Sequence, residues 1–171
     1  MAGLTDIQML VLDVDGVLTD GRLIVNSDGS ESKAFHTHDG HGIRLWQRAG
    51  LKVAFLSGRA SEATNRRAEQ LGVKHVLQDC HHKLDAMKEL LGHVHLSPQE
   101  VAYVGDDLPD LPVIRYVGFG VAVANAVAEV KQHADYVTSR LGGSGAVREV
   151  IEHILKNTGR WDTLMTRYLP Q

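Results

Sequence analysis

Acidic residues follow two of the short apolar segments of this chain, where they are placed to act together. Asp13 and Asp15 close the first segment, and residues 105–110 (GDDLPD) follow a later one. Carboxylates brought to one point repel each other unless a cation lies among them. Carboxylate oxygens are the ligands that hard divalent ions such as Mg²⁺ prefer. The pattern therefore indicates a Mg²⁺ site built from aspartates.

A serine and a lysine complete a set of groups suited to phosphate chemistry. Ser57 follows a second apolar segment, and Lys83 opens an amphipathic one. Phosphoryl transfer depends on positioning and on neutralising charge, which a lysine, a hydroxyl and Mg²⁺ supply. An aspartate nucleophile divides phosphate ester hydrolysis into two easier steps. A second acid two residues later can protonate the leaving oxygen and then activate water.

The apolar segments alternate with amphipathic ones, which identifies the fold class. Continuous apolar segments bounded by turn residues indicate strands buried on both faces. We predict strands at 7–13, 52–56, 73–77, 101–104 and 120–123, and helices at 42–49, 61–71, 83–91, 111–117, 126–133 and 145–155. This order predicts right-handed crossovers and a doubly wound, Rossmann-like parallel α/β sheet with helices on both faces. Ligands bind beyond the carboxyl ends of such strands, where the acids, Ser57 and Lys83 would meet.

One segment interrupts the alternation. Residues 27–30 (SDGS) form a strong turn signal between two extended segments, so we predict a protruding β-hairpin over about 22–37. The intervals 16–56 and 58–82 are filled by the predicted elements and leave no room for a cap domain. We predict one domain over 1–171, with a C-terminal tail from about 158 to 171 that docks or frays.

Composition excludes several classes of function. The chain has 171 residues, with 18 basic and 21 acidic side chains, which gives no basic surface for nucleic acid. A single cysteine, Cys80, excludes an internal disulfide framework and any multi-cysteine zinc site. No apolar segment approaches the ~18 residues of a membrane span, and no export signal is visible. We expect a cytoplasmic enzyme whose partner is a small molecule.

Four motifs of the chain stand in the order and places of those of the haloacid dehalogenase superfamily. They are DVDGV at 13–17, LSGR at 56–59, the lysine at 83, and GDDLPD at 105–110. The combination of DxDGV with a later GDDxxD is specific. The chain resembles the members of this superfamily that lack a cap domain, which implies a Mg²⁺-dependent phosphatase.

The resemblance also implies a role for each acid. Asp13 would be the nucleophile and a Mg²⁺ ligand. Asp15 would be the general acid and base, and would offer its backbone carbonyl to the metal. Asp106 would be the third protein ligand, while Asp107 and Asp110 would orient a metal-bound water or the lysine. Ser57 and Lys83 would contact the phosphate.

Almost the whole chain is similar to the 3-deoxy-D-manno-octulosonate 8-phosphate (KDO 8-phosphate) phosphatases. The similarity lies in TDGRL, FHTHDGHGIR, LSGRAS with NRRAEQLGV, AYVGDDLPDLPV and GGSGAVREV. It implies a homotetramer that makes a lipopolysaccharide precursor, with the hairpin and the C-terminal tail at subunit contacts. It also implies a substrate loop at 36–40 and a set of substrate-binding residues: Asp15, His36, Thr37, His38, Asp39, Gly40, Arg44, Arg59, Arg67 and Lys83. Arginine forks suit a substrate with a phosphate and a carboxylate.

Other functions remain open at this point. Relatives that act on nine-carbon sugar-acid phosphates (KDN or N-acetylneuraminate 9-phosphate) carry an acid where this chain has Arg59, so Arg59 favours KDO 8-phosphate. A receiver domain also gathers acids at strand ends, but its phosphorylated aspartate follows the third strand, where this chain has Gln78-Asp79. A non-catalytic regulatory domain and a zinc site at the histidines of 36–41 or 81–82 are further alternatives.

Overall fold

A computed structural model describes residues 3–169, so both chain ends, including the last two residues of the predicted tail, lie outside the described part. Eight strands occur within the described residues: β1 (Met9–Leu12), β2 (Ile24–Val25), β3 (Glu31–Ser32), β4 (Lys52–Leu56), β5 (His75–Leu77), β6 (Val101–Gly105), β7 (Phe119–Ala122) and β8 (Tyr136–Val137). The same part of the chain contains seven α-helices: α1 (Thr37–Arg48), α2 (Glu62–Leu71), α3 (Lys83–Val94), α4 (Leu111–Ile114), α5 (Ala128–His133), α6 (Ala146–Asn157) and α7 (Trp161–Met165).

Six of the strands form one parallel sheet in the order β5-β4-β1-β6-β7-β8. The central strand β1 is buried along its whole length, as the sequence Met-Leu-Val-Leu predicts for a strand covered on both faces. In register, Leu12 lies between Phe55 of β4 and Val104 of β6. The doubly wound fold is confirmed. The sequence analysis missed the edge strand β8, which has only two residues.

Helix α1 begins five residues earlier than the sequence pattern indicates. The predicted loop conformation at 36–40 is wrong, because helical structure begins at Thr37 and the N–H of Gly40 bonds to the carbonyl of His36 at 3.3 Å. Gly40 and Gly42 hid this first turn, since glycine is a poor helix former. Both glycines are buried where other chain segments pass closely, Gly40 against Arg67 and Gly42 against Arg148.

The core is continuous between the sheet and the helices on its two faces. Helix α6 buries six residues on one side and packs against α1. The indole of Trp46 in α1 is fully buried, and its N–H donates to the carbonyl of Lys52 at 2.6 Å. This packing holds the strand ends at one edge of the sheet in fixed positions.

The two hairpin strands project from this core, whereas Trp161 and Leu164 of the tail pack against it. Strands β2 and β3 form a separate antiparallel pair, and the apolar side chains Leu23, Ile24 and Val25 are exposed. The hairpin and α1 fill the interval between β1 and β4, so no cap domain is present within the described residues. In the tail, α7 is followed by Tyr168, whose hydroxyl contacts Arg48 of α1. None of the described helices is both long enough and apolar enough to span a membrane.

Candidate active site

The carboxyl ends of β1, β4 and β6 meet around a cleft of about 290 Å³. Parallel strands present their carboxyl ends at the same edge of the sheet, so residues far apart in sequence converge there. The lining residues are Asp13, Asp15, Gly21, Ser57, Gly58, Arg59, Lys83, Asp106, Asp107, Pro109 and Asp110. The structure thus brings together every residue predicted for catalysis and metal binding, together with Arg59 from the predicted substrate-binding set.

Lys83 joins the two most deeply buried acids of the cleft. Its Nζ lies 2.7 Å from Oδ1 of Asp13 and 2.6 Å from Oδ1 of Asp110. All three side chains are almost fully buried. A buried charge is tolerated only when it is paired, and here one ammonium lies between two carboxylates. The contact with Lys83 therefore holds the side chain of Asp13, the candidate nucleophile, in one orientation.

Each carboxylate oxygen of Asp110 already accepts two hydrogen bonds, so Asp110 has no lone pair left for a substrate or an ion. Its Oδ2 accepts the backbone N–H groups of Asp106 at 2.9 Å and of Asp107 at 3.2 Å, and its Oδ1 also accepts the hydroxyl of the fully buried Tyr103. These bonds close the turn after β6 and aim Lys83 at Asp13. Asp110 thus contacts Lys83, one of the groups that it is expected to orient. The sequence did not single out Tyr103, because a tyrosine within an apolar strand is typical of an ordinary core residue.

A glycine permits the acids to approach each other. Gly16 has a positive φ of 99°, and a Cβ at this position would collide with the carboxylate of Asp106. Only glycine accepts both the backbone conformation and the contact. The packing of Asp106 against the turn after β1 therefore requires glycine at position 16 of the DxDGV motif.

The acids form a set that fits a hard divalent cation. One carboxylate oxygen from each of Asp13, Asp106 and Asp110 lies within 4.8 Å of the others, and this group contains no histidine or cysteine. Since Asp110 is fully engaged, Asp13 and Asp106 are the carboxylates with capacity for an ion. The side chain of Asp15 contacts Lys33 of the hairpin, and Asp15 contributes no carboxylate oxygen to this group. The oxygen donors suit Mg²⁺ and argue against zinc.

Burial and mutual repulsion disfavour the charged forms of these acids when no cation is bound. Burial, followed by the neighbouring Asp110, raises the pKa of Asp13 well above its usual value, although Lys83 acts in the opposite direction. The same two causes raise the pKa of Asp106 to about 6. Burial acts to lower the pKa of Lys83, but Asp13 and Asp110 outweigh it and the pKa is raised. A divalent cation would relieve the repulsion among the acids.

These shifts predict that Mg²⁺ binding weakens at acid pH. A metal ion must displace the protons that Asp13 and Asp106 hold, so binding is strongest above the metal-free pKa values and is lost as the pH falls through about 6. Calorimetric titration with MgCl₂ should show an affinity at pH 5 at least about tenfold below that at pH 7.5, with proton release on binding. An affinity that is constant over this range would contradict the site.

Two residues of the hairpin, Lys33 and Glu31, contact side chains that line the cleft, although the sequence analysis did not single them out. Nζ of Lys33 contacts Oδ1 of Asp15 and lies 3.1 Å from Oε1 of Glu31. Glu31 in turn accepts from Nη2 of Arg59 at 2.7 Å, and this bond lowers the pKa of Glu31 despite its partial burial. Residues two apart on an extended strand share one face. The spacing of two between Glu31 and Lys33 is therefore the sequence signal that could have placed both side chains on the same face of the hairpin.

The structure does not bring the remaining predicted substrate residues into the cleft. Arg44 donates to the carbonyl of Gln70 at 2.5 Å, and Arg67 packs over the ring of Phe35 and contacts the carbonyl of His36. None of these arginines lines the cleft of the single chain. The residues concerned are His36, Thr37, His38, Asp39, Gly40, Arg44 and Arg67. They lie on α1, on α2 and at the residue before α1.

Asp39 has a local structural task. It is almost fully buried, and its carboxylate accepts the backbone N–H groups of Gly145 at 3.2 Å and Arg148 at 2.8 Å. These N–H groups belong to the start of α6, which needs an acceptor because its first N–H groups have no partner within the helix. Both oxygens of Asp39 thereby accept a bond, and the side chain ties α1 to α6.

The aspartate that a receiver domain would use is not in the cleft. Asp79 follows β5, which is an edge strand of the sheet, and its side chain is 72% exposed beside His81. The phosphate-accepting position of such a domain needs neighbouring acids that can hold a metal, and among the described residues such a group occurs only at Asp13, Asp106 and Asp110. The geometry therefore favours an enzyme that uses Asp13.

A capless doubly wound sheet with this acid cluster defines a haloacid dehalogenase-like hydrolase. The model of the haloacid dehalogenase-like hydrolase family matches residues 75–151. The chain is 44% identical over 162 residues to the 3-deoxy-D-manno-octulosonate 8-phosphate phosphatase of Escherichia coli (strain B / BL21-DE3), covering 95% of this chain and 86% of that protein. It is 45% identical over 150 residues to the enzyme of the same name from Yersinia pestis, covering 88% of this chain and 80% of that one.

Solved structures show the same relationship. The crystal structure of 3-deoxy-D-manno-octulosonate 8-phosphate phosphatase from Moraxella catarrhalis, in complex with magnesium, phosphate and KDO, is 40% identical, with a TM-score of 0.95 over 97% of this chain and 95% of that one. The cobalt-bound enzyme from Haemophilus influenzae is also 40% identical, with a TM-score of 0.89 over 91% of each chain. The chain belongs to the family of 3-deoxy-D-manno-octulosonate 8-phosphate phosphatases. The resemblance stated from the motifs is confirmed.

Proposed function

We infer that this protein is a Mg²⁺-dependent phosphomonoesterase that hydrolyses KDO 8-phosphate to KDO and phosphate. The observation that supports this most strongly is the buried Asp13, held by Lys83 beside Asp106 in an open cleft at the strand ends. Relatives at 44% and 45% identity carry this activity in their names. A related structure holds magnesium, phosphate and KDO together.

In this proposal Asp13 attacks phosphorus with one carboxylate oxygen. The bond between phosphorus and the sugar oxygen breaks, and that oxygen takes the proton of Asp15. Water then attacks the phosphorus of the aspartyl-phosphate and gives its proton back to Asp15, which restores the carboxylate of Asp13 and releases phosphate. Mg²⁺, when bound by Asp13, Asp106 and the carbonyl of Asp15, supplies charge neutralisation for the phosphoryl oxygens.

Lys83 and Ser57 hold the phosphoryl group in this reaction. Lys83 neutralises charge and keeps Asp13 aligned, while the hydroxyl of Ser57, whose side chain lines the cleft, donates to a phosphoryl oxygen. Oγ of Ser57 accepts the backbone N–H of Arg59 at 3.2 Å, which fixes the direction of the hydroxyl. Both groups act mainly by positioning and electrostatics.

Arg59 is the arginine that the single chain places at the cleft, where we propose that it binds the sugar-acid part of the substrate. Its side chain is half exposed and pairs with Glu31. Arg59→Ala should raise KM for KDO 8-phosphate by about 10- to 100-fold, because a charge-assisted bond is lost, while KM for an aryl phosphate changes less than about threefold. Steady-state kinetics with both substrates measures this.

Arg66→Ala is the matched control for that variant. Arg66 lies on the exposed face of α2 and pairs with Glu62 of the same helix, so its loss should leave both KM values unchanged. Equal changes for the two substrates in Arg59→Ala would contradict a contact with the sugar-acid part.

The substrate itself is tested with a kinetic panel. The wild-type protein with MgCl₂ should hydrolyse KDO 8-phosphate with a kcat/KM at least about tenfold above those for KDN 9-phosphate and N-acetylneuraminate 9-phosphate. Addition of a chelator should remove the activity and MgCl₂ should restore it. A preference for a nine-carbon substrate would reassign the substrate and keep the reaction class.

We also propose that the protein is a homotetramer with the hairpin and the C-terminal tail at the subunit contacts. Leu23, Ile24 and Val25 are exposed on the hairpin, as are Tyr168 and Leu169 in the tail. Clustered apolar side chains on a hairpin edge mark a contact surface. Light scattering should give four times the chain mass of 18.7 kDa, and Val25→Asp should lower it. A monomeric wild-type protein would contradict this arrangement.

Such an assembly would bring residues of a neighbouring subunit to the open cleft. We propose that His36, Thr37, His38, Asp39, Gly40, Arg44 and Arg67 act there as substrate-binding residues only in the assembled enzyme. We place the reaction in the cytoplasm, within lipopolysaccharide precursor synthesis. A sugar acid that carries a carboxylate and a phosphate does not cross a bilayer unaided, so the enzyme must work where its substrate is made.

A further inference from the structure

The guanidinium of Arg59 is held from one side only. Arg59 lies in the segment between β4 and α2, and its side chain is half exposed at the cleft. Its Nη2 donates to Oε2 of Glu31 at 2.7 Å, and within residues 3–169 the other N–H groups of the guanidinium have no hydrogen-bond partner. Arginine has much rotamer freedom, which a charge-assisted bond restricts. The bond to Glu31 is therefore the contact that fixes where the free N–H groups of Arg59 lie.

The hairpin holds the backbone of Glu31 on both sides. Nδ2 of Asn26 donates to Oγ of Ser30 and to Oγ of Ser32, at 3.0 Å each, and these two serines flank Glu31. In the antiparallel pair, Glu31 lies opposite Val25. A strand of only two residues has few ladder bonds of its own, so the contacts of Asn26 help to give the carboxylate a defined place beside the cleft.

The charge of Glu31 is compensated by a cation on each side. Nζ of Lys33 lies 3.1 Å from Oε1 of Glu31, while Oε2 accepts from Arg59. The bond from Arg59 lowers the pKa of Glu31, so the carboxylate is charged at neutral pH. Because both of its oxygens face cations, Glu31 adds little net repulsion toward an anionic substrate. Glu31 does not line the cleft, so it is not placed to touch the substrate itself.

We propose that Glu31 is a positioning residue that holds Arg59 in the orientation that binds the sugar-acid part of the substrate. The proposal rests on the phosphatase activity and on the substrate contact of Arg59 inferred above. Glu31 orders the guanidinium before the substrate arrives, so this ordering does not have to accompany binding. The free N–H groups of Arg59 can then donate to the carboxylate or the hydroxyls of the sugar acid. The hairpin thereby contributes to substrate recognition through Arg59.

Steady-state kinetics of Glu31→Ala with two substrates tests this role. KM for KDO 8-phosphate should rise by about 3- to 10-fold with kcat within about twofold of wild type, because Arg59 must then be ordered during binding. KM for p-nitrophenyl phosphate, which has no sugar-acid part, should change by less than about twofold. Glu31→Gln keeps an oxygen that accepts from Arg59, so it should recover most of the lost affinity for KDO 8-phosphate.

A double-mutant cycle shows whether Glu31 acts through Arg59. In the Arg59→Ala background, Glu31→Ala should raise KM for KDO 8-phosphate by less than about a further twofold. Glu62→Ala is the matched control, because Glu62 pairs with Arg66 at 3.2 Å in an exposed glutamate–arginine pair on α2. This control should leave both KM values unchanged.

Three outcomes would overturn the proposal: equal KM changes for the two substrates, independent effects of the two substitutions, or an unchanged or lower KM for KDO 8-phosphate in Glu31→Ala. A lower KM would show that Glu31 competes with the substrate for Arg59. If Glu31→Ala fails to fold, Glu31→Met, which keeps the side-chain length without an acceptor, replaces it in each measurement. A wild-type protein that releases no phosphate from either substrate would instead refute the phosphatase function itself, so the two failures are distinguishable.

Discussion

Asp13→Asn should lose at least about 10⁴-fold in phosphate release while it keeps its fold. The amide has no charge or lone pair suited to attack phosphorus, and loss of a nucleophile commonly removes nearly all of an enzyme's chemical rate enhancement. The substitution also removes one charge from a cluster in which Asp13 lies close to Asp106 and Asp110. Because burial already favours the neutral form of Asp13, a neutral amide fits the site.

The stability of this variant separates the nucleophile role from a structural one. Without Mg²⁺, the Tm of Asp13→Asn should equal or exceed that of wild type, since a disfavoured charge has been replaced. Asp6→Asn, at an exposed aspartate before β1, is the control and should retain full activity. A phosphate release rate near that of wild type in Asp13→Asn would rule out Asp13 as the nucleophile.

Lys83→Met should lower kcat by about 10³-fold and should also destabilise the metal-free protein. Methionine fills a similar volume, so the loss comes from the missing ammonium. Asp13 and Asp110 then face each other with no cation, although Lys83 bonds both at 2.7 and 2.6 Å in the intact site. Removing one partner of a buried ion pair costs roughly 3–5 kcal/mol.

The loss of stability in Lys83→Met should depend on pH and on metal. It should be larger at pH 8 than at pH 5, because at lower pH protons on Asp13 and Asp106 remove the repulsion that Lys83 had compensated. MgCl₂ should recover part of the Tm, since a cation returns to the cluster. Thermal unfolding at both pH values checks this. Lys74→Met is the control, since Lys74 is exposed and precedes β5 at the opposite end of the sheet. A Tm loss that does not depend on pH would contradict the electrostatic explanation.

The parts of the fold that follow from local pattern were predictable from the sequence. Segments such as Met9–Leu12 are apolar without alternation, which identifies strands of a covered parallel sheet. Because carboxyl ends of parallel strands share one edge, the same pattern placed Asp13, Ser57 and Asp106 together without any knowledge of side-chain geometry. Hydrophobic pattern and chain direction were therefore enough to predict the sheet and the position of these three residues.

The features that were missed depend on contacts between distant residues. Helix α1 starts early because Asp39 bonds to N–H groups of α6 more than 100 residues away, despite two glycines near its start. The placement of the hairpin depends on Lys33 with Asp15 and on Glu31 with Arg59, pairs separated by 18 and 28 residues. Strand and helix propensities do not report such pairs.

The most direct test of the central claim is a crystal structure of the protein soaked with MgCl₂ and beryllofluoride, a mimic of the phosphoryl group. We expect the beryllium to be bonded to a carboxylate oxygen of Asp13, with Lys83 and Ser57 contacting the fluorides. We expect Mg²⁺ between Asp13, Asp106 and the carbonyl of Asp15. An empty cleft, or a beryllofluoride group bonded to any other residue, would contradict attack by Asp13 on phosphorus.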